Sequence, residues 1–333
     1  VTRELYLTDL IELTLKNKEK IETFTIGDEE EWHGINTQLE LAKANLRLNK
    51  RIHFMGVSGS GASAVASIAK GNGFEVTGCD LKPDSPYLEK SNIKIKKGHD
   101  KSHLVGASCL IVSPAITKFD PENSEILKAI DAGIPVITWQ EFQGAVLQKG
   151  KFTICIAGGY GKSTTTAMIS KILINANFDP TCELGAKVLE WEKNFRIGKS
   201  KYYICEADEY NDNFLNYSPD IAVILNVAWD HPDFFPNKES VILSYQNFIN
   251  NIKKNGELVI TTQAYGQLQK GIREDIMVRL IKNFPNVNLS LIGDFRAENA
   301  NAALTLAKTL KISVNQAKKS LKTFRGLGRR LEY

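Results

Sequence analysis

Cysteine is sparse in this chain, with Cys79, Cys109, Cys155, Cys182 and Cys205 the five among 333 residues. The number is odd, the positions are far apart, and neither a CxxC pair nor a histidine at zinc spacing occurs. Neither a disulfide framework nor a zinc motif is therefore read from the spacing. Several of these cysteines sit in apolar runs such as Ile154-Cys155-Ile156, where the thiol behaves as a small buried hydrophobe, and a reduced cytoplasm fits. No apolar stretch approaches the roughly 18–20 residues of a membrane span, and VTRELYLTDLIELTLKNKEK lacks the apolar core of a signal peptide. Charge of one sign is not in excess: 42 Lys+Arg against 38 Asp+Glu leave +4, too little and too scattered for nucleic acid. The small surplus does suit anionic, phosphorylated small molecules. Hydrophobic residues make up 43% and charged residues 24%, an ordinary soluble globular balance, and the length predicts two domains.

Residues 1–49 read as a polar, mostly helical leader, with helical spacing over Thr37–Asn49 and no recognisable chemistry. From Arg51 the pattern becomes strand, turn, helix, strand. Ile52–Val57, Glu75–Cys79, Ile93–Lys96, Cys109–Ser113 and Ile134–Thr138 are the expected strands, with helices at Ala62–Gly71 and Ser124–Ala132. A second series has strands at Phe152–Ala157, Tyr202–Cys205, Ile221–Asn226, Glu257–Thr261 and Asn288–Ile292. Its helices are Ser163–Ala176, Ser240–Lys253 and Ala297–Leu310. The alternation predicts an α/β protein of two successive, largely parallel, doubly wound domains, over 50–148 and 149–325. No repeat or low-complexity segment interrupts them.

Two glycine turns follow strands and open helices, the context in which backbone N–H groups gather an anion. In the first, Gly56-Val57-Ser58-Gly59-Ser60-Gly61, small residues admit a pyrophosphate. Ser58 in place of the second glycine disfavours NAD, and Asp80 after the next strand is placed to accept from a nucleotide sugar or base. A tight turn with no ligand is the plain alternative. The second, Ala157-Gly158-Gly159-Tyr160-Gly161-Lys162-Ser163-Thr164-Thr165, is stronger, although it is shorter than the usual phosphate loop. Its amides from Gly159 to Lys162 can cradle phosphate oxygens, Lys162 can bridge β and γ phosphates, and the Ser163 hydroxyl suits Mg²⁺. Tyr202–Cys205 then ends in Glu206-Ala207-Asp208-Glu209, carboxylates that repel one another unless a cation neutralises them. Asn226 with Asp230-His231 offers either a second metal ligand or a polar loop. Gly293–Ala303 could read a base edge, and the guanidinium groups of Phe324–Glu332 could clamp phosphates.

In this order the segments resemble the Mur ligase family, the ATP-dependent amide-forming enzymes of peptidoglycan assembly, from about Asn36 to Tyr333. The resemblance implies a Rossmann-like UDP-binding domain followed by a central P-loop ATPase-like domain. Gly158–Thr165 is similar to the family's short phosphate loop, with Gly159 and Tyr160 replacing its usual Thr and His. Glu206–Glu209 and Asn226 with Asp230-His231 are similar to its two magnesium motifs. Asn299 matches its adenine-contacting asparagine, and Arg330 its linker arginine. The implied catalytic residues are Lys162, Glu206, His231 and Arg330. ATP would meet Gly158, Gly159, Tyr160, Gly161, Lys162, Ser163, Thr164 and Asn299, with Mg²⁺ on Ser163, Glu206 and His231. The sugar nucleotide would meet Gly56, Ser58, Gly59, Ser60, Gly61, Asp80 and Ser113.

His53-Phe54-Met55-Gly56, Val76–Asp80 and Ser113-Pro114-Ala115-Ile116 look most like the branch that joins L-alanine to UDP-N-acetylmuramate through an acyl phosphate. The branch that joins a recycled tripeptide stands second. The family continues into a third domain that binds the amino acid, whereas 326–333 is only the start of a linker. The expectation is a chain that binds both nucleotides but turns over poorly alone, with a separate C-terminal domain or subunit as partner. A non-catalytic half of a split enzyme is a further reading, and an NAD-dependent oxidoreductase rests on the first turn alone. No nucleic-acid or membrane partner is expected.

Overall fold

The computed structural model describes residues 7–22, 34–89, 91–285, 287 and 294–328. Residues 1–36 and 37–333 form two separate units. The first contains helix α1 (Leu7–Lys16), which carries a Lys16–Glu12 ion pair of 2.7 Å and exposes Leu10, Ile11, Leu13 and Leu15.

The second unit opens with α2 (Gln38–Leu48), started by a capping box between Thr37 and Glu40 that satisfies two end N–H groups reciprocally. Its Ala42 and Leu46 are buried, and Asn45 Nδ2 donates to the Ser108 carbonyl at 3.1 Å. The later part of the expected leader is thus a packed helix.

Five strands follow: β1 (Arg51–Met55), β2 (Glu75–Asp80), β3 (Lys94–Lys97), β4 (Cys109–Val112) and β5 (Val136–Thr138). They form an all-parallel sheet in the order β3-β2-β1-β4-β5. Between them run α3 (Ser60–Gly71), α4 (Pro114–Phe119) and α5 (Ser124–Asp131), and α6 (Trp139–Phe142) leads out. Strand order reverses beside β1, so the loops after β1 and β4 flank the crevice where doubly wound sheets bind ligands.

The second sheet comprises β6 (Phe152–Ala157), β7 (Thr181–Val188), β8 (Lys193–Arg196), β9 (Tyr202–Ala207), β10 (Ile221–Ile224), β11 (Glu257–Ile260) and β12 (Met277–Leu280). Its order is β12-β11-β10-β6-β9-β7-β8, and only β8 among these strands runs antiparallel. The fully buried CLIV of β4 and IAVI of β10 are the continuous apolar runs of strands covered on both faces. Helices α7 (Lys162–Asn175), α8 (Lys238–Asn250), α9 (Thr262–Leu268), α10 (Asp294–Thr309) and α11 (Val314–Lys322) complete the unit.

Three strands of this sheet are additions to the sequence reading. Glu183, Gly185 and Lys187 interrupt the apolar pattern of β7, β8 is a four-residue KNFR, and β12 is a four-residue MVRL. The strand expected at 288–292 lies outside the described residues. Leu327 pairs with Val188 as an isolated antiparallel bridge, and the Gly328 N–H donates to the Lys187 carbonyl.

Helix α3 joins the two sheets. It packs on β2 of its own sheet and on β7 and β8 of the other, with Ala62 through Ala69 buried. One apolar core therefore runs from Ile52 and Phe54 through Phe142 to Cys155, Tyr203 and Tyr217.

Candidate active site

The second glycine turn bridges β6 and α7 at the centre of its sheet, next to β9 and β10. Gly161 is the N-cap of α7 with φ +87°, a left-handed conformation that a residue with a Cβ adopts at a cost. A Cβ there would also lie 2.6 Å from Asn299 Oδ1. That approach places Asn299, buried on α10, directly against the turn. Asn226, just beyond β10, holds the turn from the other side: its Oδ1 accepts from the Tyr160 N–H at 3.2 Å and its Nδ2 donates to the Tyr160 carbonyl at 3.0 Å. The first N–H groups of α7 point out of the helix without intrahelical partners, and the helix dipole adds partial positive charge there.

Strand β9 pairs with β6 so that Ile156 faces Glu206 and Ala157 faces Ala207, which carries the acidic strand end beside the glycine turn. Ser163 Oγ donates to Glu206 Oε2 at 3.1 Å, and Glu206 Oε1 accepts from the Gly185 N–H at 2.6 Å. Lys162 Nζ donates to the Gly158 carbonyl at 2.7 Å and to Glu209 Oε2 at 2.8 Å, with Asp208 Oδ1 at 3.7 Å. Burial pushes the Glu209 carboxyl above its usual range, while Lys162 opposes that shift. The lysine expected on phosphate thus rests on an acidic strand end, in a site where one cation answers several carboxylates. Glu209 as its anchor escaped the sequence reading, although it stands in the quoted acidic run.

His231 is joined to this cluster one step removed. Its ring lies 4.5 Å from that of Tyr210, the residue after Glu209, and its backbone has φ +56°. Tyr210 Oη and Lys118 Nζ both reach Asp233 Oδ2, each at 2.8 Å, tying the loop after β10 to α4 of the first sheet. Arg330 lies outside the described residues.

The first glycine turn sits at the reversal point of the first sheet. Gly56, at φ +78°, approaches the end of β4 so closely that a Cβ would be 2.9 Å from Ser113 Cβ. Asp80 accepts from the Ser58 N–H and the Lys82 N–H, both at 2.9 Å, so its carboxylate is already shaping the turn. Gly59 is the N-cap of α3, and a Cβ on Gly61 would lie 2.6 Å from the Trp139 ring. Asn194 of β8 donates to the Ser60 carbonyl at 2.6 Å. No local motif marks that residue, because its partner is 134 positions away.

Two family profiles match the chain: "Mur ligase family, catalytic domain" over residues 51–150 and "Mur ligase middle domain" over 156–282. A UDP-N-acetylmuramate–L-alanine ligase from Caldanaerobacter subterraneus is 33% identical over 314 residues, covering 85% of this chain and 68% of that protein. The chain belongs to the Mur ligase family. It spans about two thirds of the length of the curated relatives it matches. Among solved Mur ligases, a UDP-N-acetylmuramate:L-alanyl-gamma-D-glutamyl-meso-diaminopimelate ligase from Neisseria meningitides superposes with TM-score 0.75 at 22% identity, covering 84% of this chain and all of that one. The UDP-N-acetylmuramate-alanine ligase of Thermotoga maritima gives 0.71 at 23%, covering 84% and 70%. These likenesses show that the α/β architecture is that of Mur ligases. Among the described residues, no helix is long and apolar enough to cross a membrane.

Proposed function

We propose that this chain holds the ATP and sugar-nucleotide sites of a ligase that joins L-alanine to UDP-N-acetylmuramate. The substrates are those named for its relatives at about 30% identity. The observation that carries the reading is the Ser163–Glu206 oxygen pair beside Lys162 at the N-terminus of α7. An all-oxygen donor set fits Mg²⁺, which prefers hard ligands, and the left-handed Gly161 leaves a cradle that a Cβ would fill. When bound, Mg²⁺ supplies charge neutralisation on the transferring phosphoryl group.

In this reading Lys162 leaves Glu209 for the β and γ phosphates, and the α7 N-terminus faces their oxygens. Asn226 and Asn299 hold the turn in shape. The lactyl carboxylate, presented from the crevice beside Gly56 and Ser113, attacks the γ-phosphorus and ADP departs. The alanine amine then attacks the acyl phosphate, inorganic phosphate leaves, and the amine gives up a proton to solvent.

Lys162→Ala is expected to weaken binding of a non-hydrolysable ATP analogue with Mg²⁺ at least tenfold by calorimetry, with circular dichroism unchanged. Equal affinity would remove the phosphate-loop assignment. UDP binding should be untouched by the same substitution. Ligation of a tripeptide in preference to alanine, assayed by ADP release, would move the chain to the other branch.

A further inference from the structure

Behind the first glycine turn, the first sheet buries a cluster that the chain brings together from four segments. His53 of β1, Cys79 of β2, His103 of a short 3-10 turn and Glu125 of α5 place one ligand atom each within 4.8 Å of one another. The cluster lies on the face of β1 opposite α3, since Phe54 belongs to the core containing α3 and Met55 to a separate one with Ile126 and Ala129. We propose that these four side chains form a structural site for a thiophilic divalent cation of the zinc type.

The residue types come first. Two imidazoles, a thiol and a carboxylate are a full ligand set for zinc, which takes four such groups in a tetrahedron. Bonds of the usual zinc lengths put ligand atoms about 3.3–3.8 Å apart. Cys79 Sγ lies 3.4 Å from Glu125 Oε2, His103 Nδ1 3.4 Å from Glu125 Oε2, and His53 Nε2 3.0 Å from Glu125 Oε1. The remaining ligand-atom separations are within 4.8 Å.

The second observation is independent of residue type. Among the described residues, His53 Nε2 and His103 Nδ1 are buried ring nitrogens that meet no hydrogen-bond partner, although each approaches the carboxylate. His53 Nε2 lies 3.0 Å from Glu125 Oε1 and His103 Nδ1 3.4 Å from Glu125 Oε2. Both histidines belong to the one group whose ligand atoms lie within 4.8 Å of one another. The outer partners agree. Thr77 Oγ1 lies 2.8 Å from His53 Nδ1 and 3.4 Å from the Ile52 carbonyl. If its hydroxyl hydrogen goes to that carbonyl, Thr77 accepts from Nδ1–H and leaves Nε2 with its lone pair inward. His99 Nδ1 stands 3.2 Å from Cys79 Sγ, and the Asp100 N–H donates to Glu125 Oε2 at 3.0 Å. On binding, Cys79 releases its thiol proton to solvent.

Such an ion would brace the first glycine turn. The Cys79 carbonyl accepts from the Gly56 and Val57 N–H groups, and the next residue, Asp80, holds the Ser58 amide. No spacing in the chain announces the site, because its members lie on four separate elements. The inference does not depend on the ligase reading.

The test uses the full chain, stripped of metal and titrated with Zn²⁺ against a chromophoric chelator, then with Co²⁺ followed by absorption. One equivalent of tightly bound Zn²⁺ is expected, with a thiolate-to-cobalt charge-transfer band for the Co²⁺ form. Cys79→Ser should abolish that band and weaken Zn²⁺ binding at least tenfold. His103→Asn, which leaves the sulfur in place, should weaken Zn²⁺ comparably and alter the cobalt spectrum. Should Cys79→Ser fail to fold, the His103→Asn result decides. Absence of stoichiometric Zn²⁺ in the parent chain, or a cobalt band that survives Cys79→Ser, overturns the site.

Discussion

Glu183 shows how much a single side chain can contribute against the fold. It sits on β7, fully buried next to β9, and burial pushes its carboxyl well above the usual range, with the Glu206 charge raising it further. A raised carboxyl keeps its proton in the native state after the unfolded chain has lost it. Stability is therefore full below the ordinary carboxylate range and declines as pH rises toward the native value. Glu183→Gln removes that decline. It is expected to stabilise the chain by about 1–3 kcal/mol at pH 8 and to change little at pH 4. Urea midpoints at both pH values check this, and an equal difference at each would refute the linkage. Glu183 was not legible as a buried acid, since a carboxylate in a half-polar stretch reads as surface. The places of Lys162 and Ser163 were legible because a glycine turn after an apolar strand opens a helix there, and that of Glu206 because it stands at the end of an apolar strand. Asn194 and Glu209 were not, because their partners are set by packing of distant segments.

The elements built around these residues were legible where periodicity was strong. Strand β6 falls at Phe152–Ala157 as its largely apolar run predicts, whereas β7, with Glu183, Gly185 and Lys187, has no period to read. Sheet order supplied what spacing could not: β6 lies between β9 and β10, so the glycine turn meets Glu206 on one side and Asn226 on the other. The turn's shape is tightly determined. Gly161→Ala puts a Cβ into a left-handed position and against Asn299, at a cost of about 1–3 kcal/mol. The expected result is a lower melting temperature together with weaker ATP-analogue binding, while UDP affinity holds. Unchanged nucleotide affinity would mean that the turn does not need this conformation. At the other contact between sheets, Asn194→Ala removes one donor from the Ser60 carbonyl, which keeps the Ser63 hydroxyl at 2.8 Å. It should cost about 0.5–1.5 kcal/mol, the net worth of one hydrogen bond, read from denaturant midpoints.

Length and two successive series of alternating strands and helices predict two domains from the sequence, and one family profile ends at residue 150 where the next begins at 156. The packing argues that they nevertheless unfold together. Helix α3 is buried against both sheets, the core from Phe54 to Tyr217 is continuous, and Lys118 on α4 reaches Asp233 and Tyr210 of the other half. Neither half can open without exposing α3, whose apolar face on β7 and β8 would then meet water at about 25 cal/mol per Å². A ligand that binds only native protein raises the stability of whatever unfolds with its site. UDP, bound beside Gly56, and an ATP analogue with Mg²⁺, bound beside Gly161, should therefore each move the same calorimetric endotherm in its entirety. If UDP shifts one part of the transition and the ATP analogue another, the halves unfold separately, and α3 is an interface between independent domains instead of a shared core.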